Sequence, residues 1–240
     1  MTTSPEFSPH GDLLIVEDLM LLLLNDEKGV PAGESMLQYT LGGAVLVELA
    51  LLERVAQEEK KSVFTGHRVI TVGEGPLPDP LLQEAFDKLS DKPRSAASAL
   101  SRIGSGLNKK VPARLVEQGL VRQEKKHLLG VIPRTVHPAV DTTYEAGVRQ
   151  KVRGVLADGL TPDPRTASVI ALLSAGQVLK AALKDMDPPL KMSSDIRKRA
   201  KEVQEGNWGA SVVSDAVRAA MASIAAAAGA AAAAGAASAG

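Results

Sequence analysis

Two glycines followed by two lysines form the segment of this chain whose residue types best suit anion binding. Gly104 and Gly106 flank Ser105, and Lys109 and Lys110 follow at the predicted start of a helix. Glycines leave backbone N–H groups free to contact a phosphate, and lysines add positive charge where the anion would dock. The same residues are also common in a plain interhelical linker beside a solvated basic face. Both interpretations stay open at this point.

Catalytic motifs do not occur in the sequence. The chain lacks the P-loop, the dinucleotide-binding glycine motif, the zinc-protease motif and the nucleophile elbow of hydrolases. Cysteine is absent, which excludes disulfides and thiolate ligands, and the four histidines are scattered without metal-ligand spacing. We therefore predict a protein that is not an enzyme and that holds no metal or cofactor.

A β-hairpin is predicted after the helix that ends near Gly119. Apolar arms at 119–121 and 127–132 enclose the charged stretch Arg122–Lys126, which is short enough for a hairpin turn. The predicted basic tip consists of Arg122, Lys125 and Lys126. The residues predicted to contact a membrane or a second copy of the chain are Leu128, Leu129, Val131 and Ile132.

A winged-helix nucleic-acid-binding domain is the alternative interpretation of the same region. Residues Asn108–Gln118 would be its recognition helix and Arg122–Lys126 its wing. Against this alternative, 28 basic residues are balanced by 28 acidic ones, and Pro112 interrupts a helix with few polar side chains to read bases. Nucleic acid is therefore the less favoured partner.

Positive charge is concentrated in the middle of the chain. Nine basic and two acidic residues lie between Lys92 and Lys126, whereas acidic residues prevail before Lys60. The apolar run after Asp18 is far shorter than the roughly 20 residues that span a bilayer. The first ten residues lack the pattern of a signal peptide, so we predict a cytoplasmic protein.

Helical periodicity dominates the predicted secondary structure. Helices are predicted at 13–24, 34–55, 81–89, 95–107, 140–156, 164–184, 194–205 and 210–228, and short strands at 62–64 and 67–72. The stretch 41–52 is apolar nearly all round, which is typical of a helix at the centre of a bundle. Glu48 interrupts it, and we interpret this residue as a structural carboxylate bonded to a helix N-terminus or a basic partner. The predicted fold class is mainly α, a multi-helix bundle with a central apolar helix, a few short strands and a protruding β-hairpin.

One domain is predicted over residues 12–228. A disordered tail is predicted at 1–11 and a low-complexity Ala/Gly tail at 229–240.

Several segments, in the same order along the chain, resemble the Golgi phosphoprotein 3 family. They are EDLMLLLLNDEKG at 17–29, LGGAVLVELAL at 41–51, LVEQGL at 115–120, TVHP at 135–138, DPR at 163–165 and VIALLSAGQVL at 169–179. Members of this family are phosphoinositide-binding peripheral proteins, built as a helical bundle with a protruding hydrophobic β-hairpin. The alanine-rich, cysteine-free chain resembles a bacterial member.

The resemblance implies binding of phosphatidylinositol 4-phosphate at a shallow basic pocket near the hairpin, which dips into the bilayer or mediates self-association. Eukaryotic members use this binding to hold glycosyltransferases at the Golgi. The pocket tryptophan and basic positions of the family correspond here to Gly33, Gly42, Ser105 and Asn108. We therefore predict a head-group site formed by other basic residues, namely Arg102, Lys109, Lys110 and Arg114.

The expected partners follow from these predictions. They are an anionic, phosphoinositide-like membrane lipid, a second copy of the chain through the hairpin, and an unidentified protein client. The expected location is peripheral, on the cytoplasmic face of a membrane.

Overall fold

A computed structural model describes residues 13–24, 30–58, 68–128 and 132–206. Within these residues the helices are α1 (Ile15–Leu23), α2 (Glu34–Leu51), α3 (Pro80–Leu89), α4 (Ala96–Gly104), α5 (Leu107–Glu117), α6 (Thr143–Leu156), α7 (Pro164–Ala175), α8 (Leu179–Lys184) and α9 (Ser194–Gln204). The strands are β1 (Val55–Gln57), β2 (Arg68–Thr71), β3 (Arg94–Ser95), β4 (Glu124–Leu128) and β5 (Ile132–Val136). The predicted fold class, mainly α with short strands and a hairpin, is confirmed.

Helix α2 is the centre of the bundle. It packs against α1, α3, α4, α5 and α7, and its residues Leu41, Val45, Leu46 and Leu49 are fully buried. A helix surrounded in this way has no solvent-facing stripe over most of its length, which explains why its sequence is apolar on nearly every side.

Helices α2 and α4 meet backbone to backbone at two glycines. A Cβ atom added to Gly42 would overlap the carbonyl oxygen of Leu100, and one added to Gly104 would overlap that of Gln38. Only glycine permits so close an approach. The contact holds the end of α4, and the loop that follows it, against α2.

Two predicted helices run past a break in the structure. The predicted helix at 95–107 ends at Gly104, and Gly106, with φ 83°, precedes the separate helix α5. The predicted helix at 164–184 is broken after Ala175, where Gln177 takes φ 58°. In both places a left-handed residue turns the chain, and no proline marks the break.

Two antiparallel sheets accompany the helices. Strands β1, β2 and β3 form the first, with Val55 opposite Thr71 and Val69 opposite Arg94. Strand β2 confirms the strand predicted near 67–72. Strand β1 was missed, because α2 ends at Leu51 rather than at Val55.

The hairpin is present, but its predicted turn was wrong. Leu120 and Val121 are buried in the bundle core, and Val121 pairs with Ala139 at the base of the hairpin rather than with the predicted arm at 127–132. The charged stretch lies in β4, where Lys125 is opposite Thr135 and Lys126 is opposite Arg134. The chain therefore passes from β4 to β5 through residues 129–131. A two-stranded ribbon exposed to solvent accommodates charged residues along its strands, so the charge run did not mark the turn.

Some predictions fall outside the described residues. They are Leu129, Val131, the strand at 62–64, the helix at 210–228, and the tails at 1–11 and 229–240. Within the described part, no helix combines the length and hydropathy needed to cross a membrane.

Candidate functional site

A cleft of about 540 Å³ separates the bundle from the base of the hairpin. Helix α2 and the turn before it form one wall, the start of α5 forms the floor, and strand β5 with the residue after it forms the other wall. We call it the hairpin cleft, and define it by Gln38, Asn108, Lys109, Arg134, Thr135 and His137. The α2–α4 glycine contact and the Gly106 turn place the start of α5 at its floor.

The hairpin cleft carries positive charge from two directions. Lys109 reaches it from α5 and Arg134 from β5, and none of its described lining residues is acidic. In the described part of the chain, neither cation has an ion-pair partner. Two unpaired cations beside amide and hydroxyl groups can bind a phosphate or another oxyanion.

His137 adds a titratable group to the same cleft. Burial lowers the pKa of His137 below its ordinary value, so the imidazole is neutral at pH 7. A neutral imidazole can still donate or accept one hydrogen bond at each ring nitrogen. At a pH below that lowered pKa, His137 becomes a third cation of the cleft.

Arg114, which the sequence analysis placed among the head-group residues, lies in an internal ion-pair network. Its Nε donates to Oε1 of Glu17 at 2.9 Å, and its Nη2 donates to Oδ2 of Asp79 at 2.7 Å. The Glu17 side chain is only 1% exposed, and Gln118 donates to the same carboxylate oxygen. Two carboxylates thus occupy the Arg114 guanidinium, which links α5 to α1.

Lys110 contacts a carboxylate of α3, whereas Lys109 lines the hairpin cleft. The Lys110 Nζ forms an ion pair with Glu84 of α3, and the same carboxylate contacts Lys88 at 3.0 Å. These two lysines hold the pKa of Glu84 below its ordinary value. Lys110 is therefore partly neutralised and does not line the hairpin cleft.

Arg102 lines a second pocket, also of about 540 Å³, on the far side of Gln38. We call it the serine pocket, and define it by Ser98, Ser101 and Ser105 with Lys88, Arg94 and Arg102. The four predicted head-group residues are thus divided. Lys109 lines the hairpin cleft, Arg102 lines the serine pocket, and Lys110 and Arg114 bind carboxylates.

The hairpin residues that were predicted to form a basic tip lie at the base of the ribbon and along it. Arg122 precedes β4 and its Nε donates to Oε1 of Glu124 at 2.6 Å, while Lys126 approaches the same carboxylate at 3.9 Å. Lys125 is exposed. Leu128 of β4 lies opposite Ile132 of β5, and this is the last residue pair of the ribbon before the connection between the two strands.

Sequence reasoning missed Arg134, and it considered His137 only as one of four scattered histidines. Both residues follow the misplaced turn. The TVHP segment at 135–138 was an available signal, because it contains Thr135 and His137 of the cleft wall.

Comparison with known proteins gives the family. No curated protein matches this chain. The family model described as Golgi phosphoprotein 3 (GPP34) matches residues 15–220, which include the helical bundle, the hairpin and both pockets. The chain belongs to the Golgi phosphoprotein 3 family.

Proposed function

We propose that this protein is a non-enzymatic peripheral membrane adaptor that binds anionic phospholipid head groups in the hairpin cleft. The observation that carries the proposal is the pair of cations, Lys109 and Arg134, in a cleft without described acidic lining residues. By family resemblance, the head group is that of phosphatidylinositol 4-phosphate.

The register of the hairpin supports this proposal. Lys126 of β4 lies directly opposite Arg134 of β5, and like charges opposite each other destabilise a strand pair. An anionic surface beside the ribbon would remove this repulsion. We therefore assign Arg122, Lys125 and Lys126 to contacts with the membrane surface around the bound head group.

Several basic residues must act together in such a contact. Each lysine or arginine near an anionic leaflet contributes about 1 kcal/mol. Removing Lys109 and Arg134 together should therefore lower the affinity for anionic vesicles by roughly 30-fold, if each contributes that amount.

Vesicle flotation tests the proposal. The double variant Lys109→Gln/Arg134→Gln is compared with the wild type on vesicles with and without phosphatidylinositol 4-phosphate. Lys198→Gln combined with Lys201→Gln is the control, because it removes the same charge from the exposed face of α9. We expect the cleft variant to lose binding and the α9 variant to keep it. Equal binding by all three proteins would refute the proposal.

The nucleic-acid alternative is tested with the same proteins. Binding to random duplex rests on phosphate contacts and is strongest at low salt. A gel shift by the wild type at low salt, without any binding to anionic vesicles, would favour the alternative over the adaptor.

A further inference from the structure

A pocket of about 610 Å³ lies between α6 and the segment that follows α8. On α6 its lining residues recur every three to four positions, so they share one face of the helix. The pocket has no lining residue in common with the hairpin cleft or the serine pocket. We call it the α6–α8 pocket, and define it by Thr142, Glu145, Arg149, Gln150, Arg153 and Asp187.

The most buried charges of the α6–α8 pocket, Glu145 and Arg149, neutralise each other. The Nε of Arg149 donates to Oε1 of Glu145 at 2.7 Å, and its Nη1 donates to the carbonyl oxygen of Ala182 at 3.0 Å. These contacts hold the guanidinium against α8. The charge that a ligand would meet therefore comes chiefly from other lining residues.

Arg153 and Asp187 carry opposite charges in this pocket, yet they form no ion pair with each other. The Nη2 of Arg153 donates to the carbonyl oxygen of Pro188, which leaves its Nε and Nη1 without a partner among the described residues. Within the same part of the chain, the Asp187 side chain has neither a hydrogen bond nor an ion pair. Because Pro188 directly follows Asp187, the guanidinium and the carboxylate stay close enough for one small molecule to contact both.

Two uncharged polar side chains of the lining are also available to a ligand. Thr142 precedes α6 without making the side-chain hydrogen bond of a helix cap. The Gln150 side chain is exposed and makes no hydrogen bond among the described residues. A hydroxyl and an amide can each donate and accept, so they can complete the hydrogen bonds of either end of a ligand.

We propose that the α6–α8 pocket binds a small zwitterion, the chemistry shared by an aliphatic α-amino acid and its dipeptides. Arg153 would bind the carboxylate and Asp187 the ammonium group, both through charge-assisted hydrogen bonds. An anion without a positive group would meet Asp187 together with Glu145 and Asp185. A cation without a negative group would meet Arg149 and Arg153. Only a ligand with both charges matches both sets of lining residues.

The apolar part of the lining indicates the side chain of the ligand. Ala146, Met186 and Pro188 line the pocket beside the charged residues, and its described lining contains no aromatic ring. An aliphatic side chain would gain affinity by burying apolar surface against them. The volume lies in the range of ordinary small-molecule sites, which is enough for a single amino acid or a dipeptide.

Titration of the full-length protein with leucine, leucinamide and N-acetylleucine tests the ligand class. Leucinamide lacks the carboxylate and N-acetylleucine lacks the ammonium group, so each should bind about tenfold more weakly than leucine, or worse. Calorimetry measures the affinities, and amide NMR shifts, expected at 142–153 and 185–188, locate the site. Leucylleucine tests the wider charge separation, and tighter binding by it would identify the zwitterion as a dipeptide. No binding by either zwitterion, or equal binding by one of the singly charged analogues, would overturn the proposal.

Two variants test the charged residues of the pocket. Asp187→Asn and Arg153→Gln each remove one charge, and each should weaken binding of the zwitterion by about tenfold. Asp158→Asn and Lys198→Gln make the same kinds of change at exposed positions outside the pocket and should leave the affinity unchanged. Urea unfolding checks that the fold is kept, and Asp187→Asn removes no contact within the described fold. Wild-type affinity in both pocket variants would refute the site.

The α6–α8 pocket does not depend on the proposed lipid site. The Lys109→Gln/Arg134→Gln variant should bind the zwitterion with wild-type affinity, and Asp187→Asn should bind vesicles that contain phosphatidylinositol 4-phosphate as the wild type does. Loss of zwitterion binding in the cleft variant, or amide shifts confined to 134–137, would place the ligand in the hairpin cleft and overturn the proposal.

Discussion

Glu48 and Arg114 bring charge into the interior of the bundle, and their contacts explain why each is tolerated. The backbone N–H of Ile15, the first residue of α1, donates to Oε2 of Glu48 at 2.6 Å. This confirms the structural carboxylate predicted from the sequence. Burial raises the pKa of Glu48, and the helix N–H opposes that rise. The Arg114 guanidinium forms ion pairs with the carboxylates of Glu17 and Asp79.

The Arg114 network gives the first prediction. Arg114→Leu should lower the free energy of unfolding by about 3 kcal/mol, because the buried Glu17 carboxylate loses its cation. Urea unfolding measures the change, and Lys198→Leu on exposed α9 should stay within about 0.5 kcal/mol of the wild type. A variant that kept its stability but lost vesicle binding would assign Arg114 to the head group instead.

His137 gives a pH-dependent prediction. Its pKa in the folded state lies below the ordinary 6.5, so the unfolded chain binds the proton more tightly and the folded state loses stability as pH falls below that value. Protonated His137 also adds a cation to the hairpin cleft, so binding to phosphatidylglycerol vesicles should strengthen as pH falls through the folded pKa. The phosphodiester head group does not titrate in this range.

His137→Gln is the variant that isolates this effect. Flotation at about pH 5 and pH 7.5 should show a smaller difference for the variant than for the wild type, because glutamine cannot take up the proton. The same pH dependence in both proteins would show that the added charge comes from another group.

At the scale of elements, the sequence predicts most helices but misplaces the residues at which left-handed backbone breaks them. Periodicity carries no information on the backbone angles of Gly106 or Gln177, and these two residues determine where α5 and α8 begin. The register of the hairpin was lost for a related reason. Buried Leu120 and Val121 look like strand residues in the sequence, and only tertiary packing assigns them to the core.

The α2–α4 contact gives a prediction about packing. Gly42→Ala should lower the free energy of unfolding by about 2 kcal/mol or more, because the new methyl group overlaps backbone that cannot move aside without shifting α4. Gly147→Ala on α6 is the matched control. A Cβ atom there meets nothing within 4 Å, so the change should raise stability by about 0.5 to 1 kcal/mol. A loss at both positions would mean that the contact is not the cause.

At the scale of the whole molecule, the formal net charge is zero while the cations gather around two pockets. The sequence located most of this charge to the middle of the chain, although Lys88 and Arg134 lie outside the predicted stretch 92–126. It did not divide the cations between pockets, because their partners Glu17, Asp79 and Glu84 come from distant elements. That division is a tertiary property, and no local spacing encodes it.

The hairpin gives a prediction for the assembly. Leu129 lies in the connection between β4 and β5, outside the described residues, and stays a predicted contact with a membrane or a second copy. Leu129→Asp should weaken vesicle binding or lower the oligomer mass, because a charge would have to enter an apolar contact. Flotation and light scattering measure the two effects, with Lys198→Asp as control. No change in either would remove the apolar hairpin contact from the proposed function.

The crossing of α2 and α4 also bears on how the family can diverge. In this chain the carbonyl oxygen of Leu100 occupies the space that the first side-chain carbon of a larger residue at position 42 would need. A larger residue could not replace Gly42 without sliding α4. Substitutions at positions 42 and 104 should therefore covary among relatives, and lineages with a large residue at 42 should have inherited a wider spacing between these two helices.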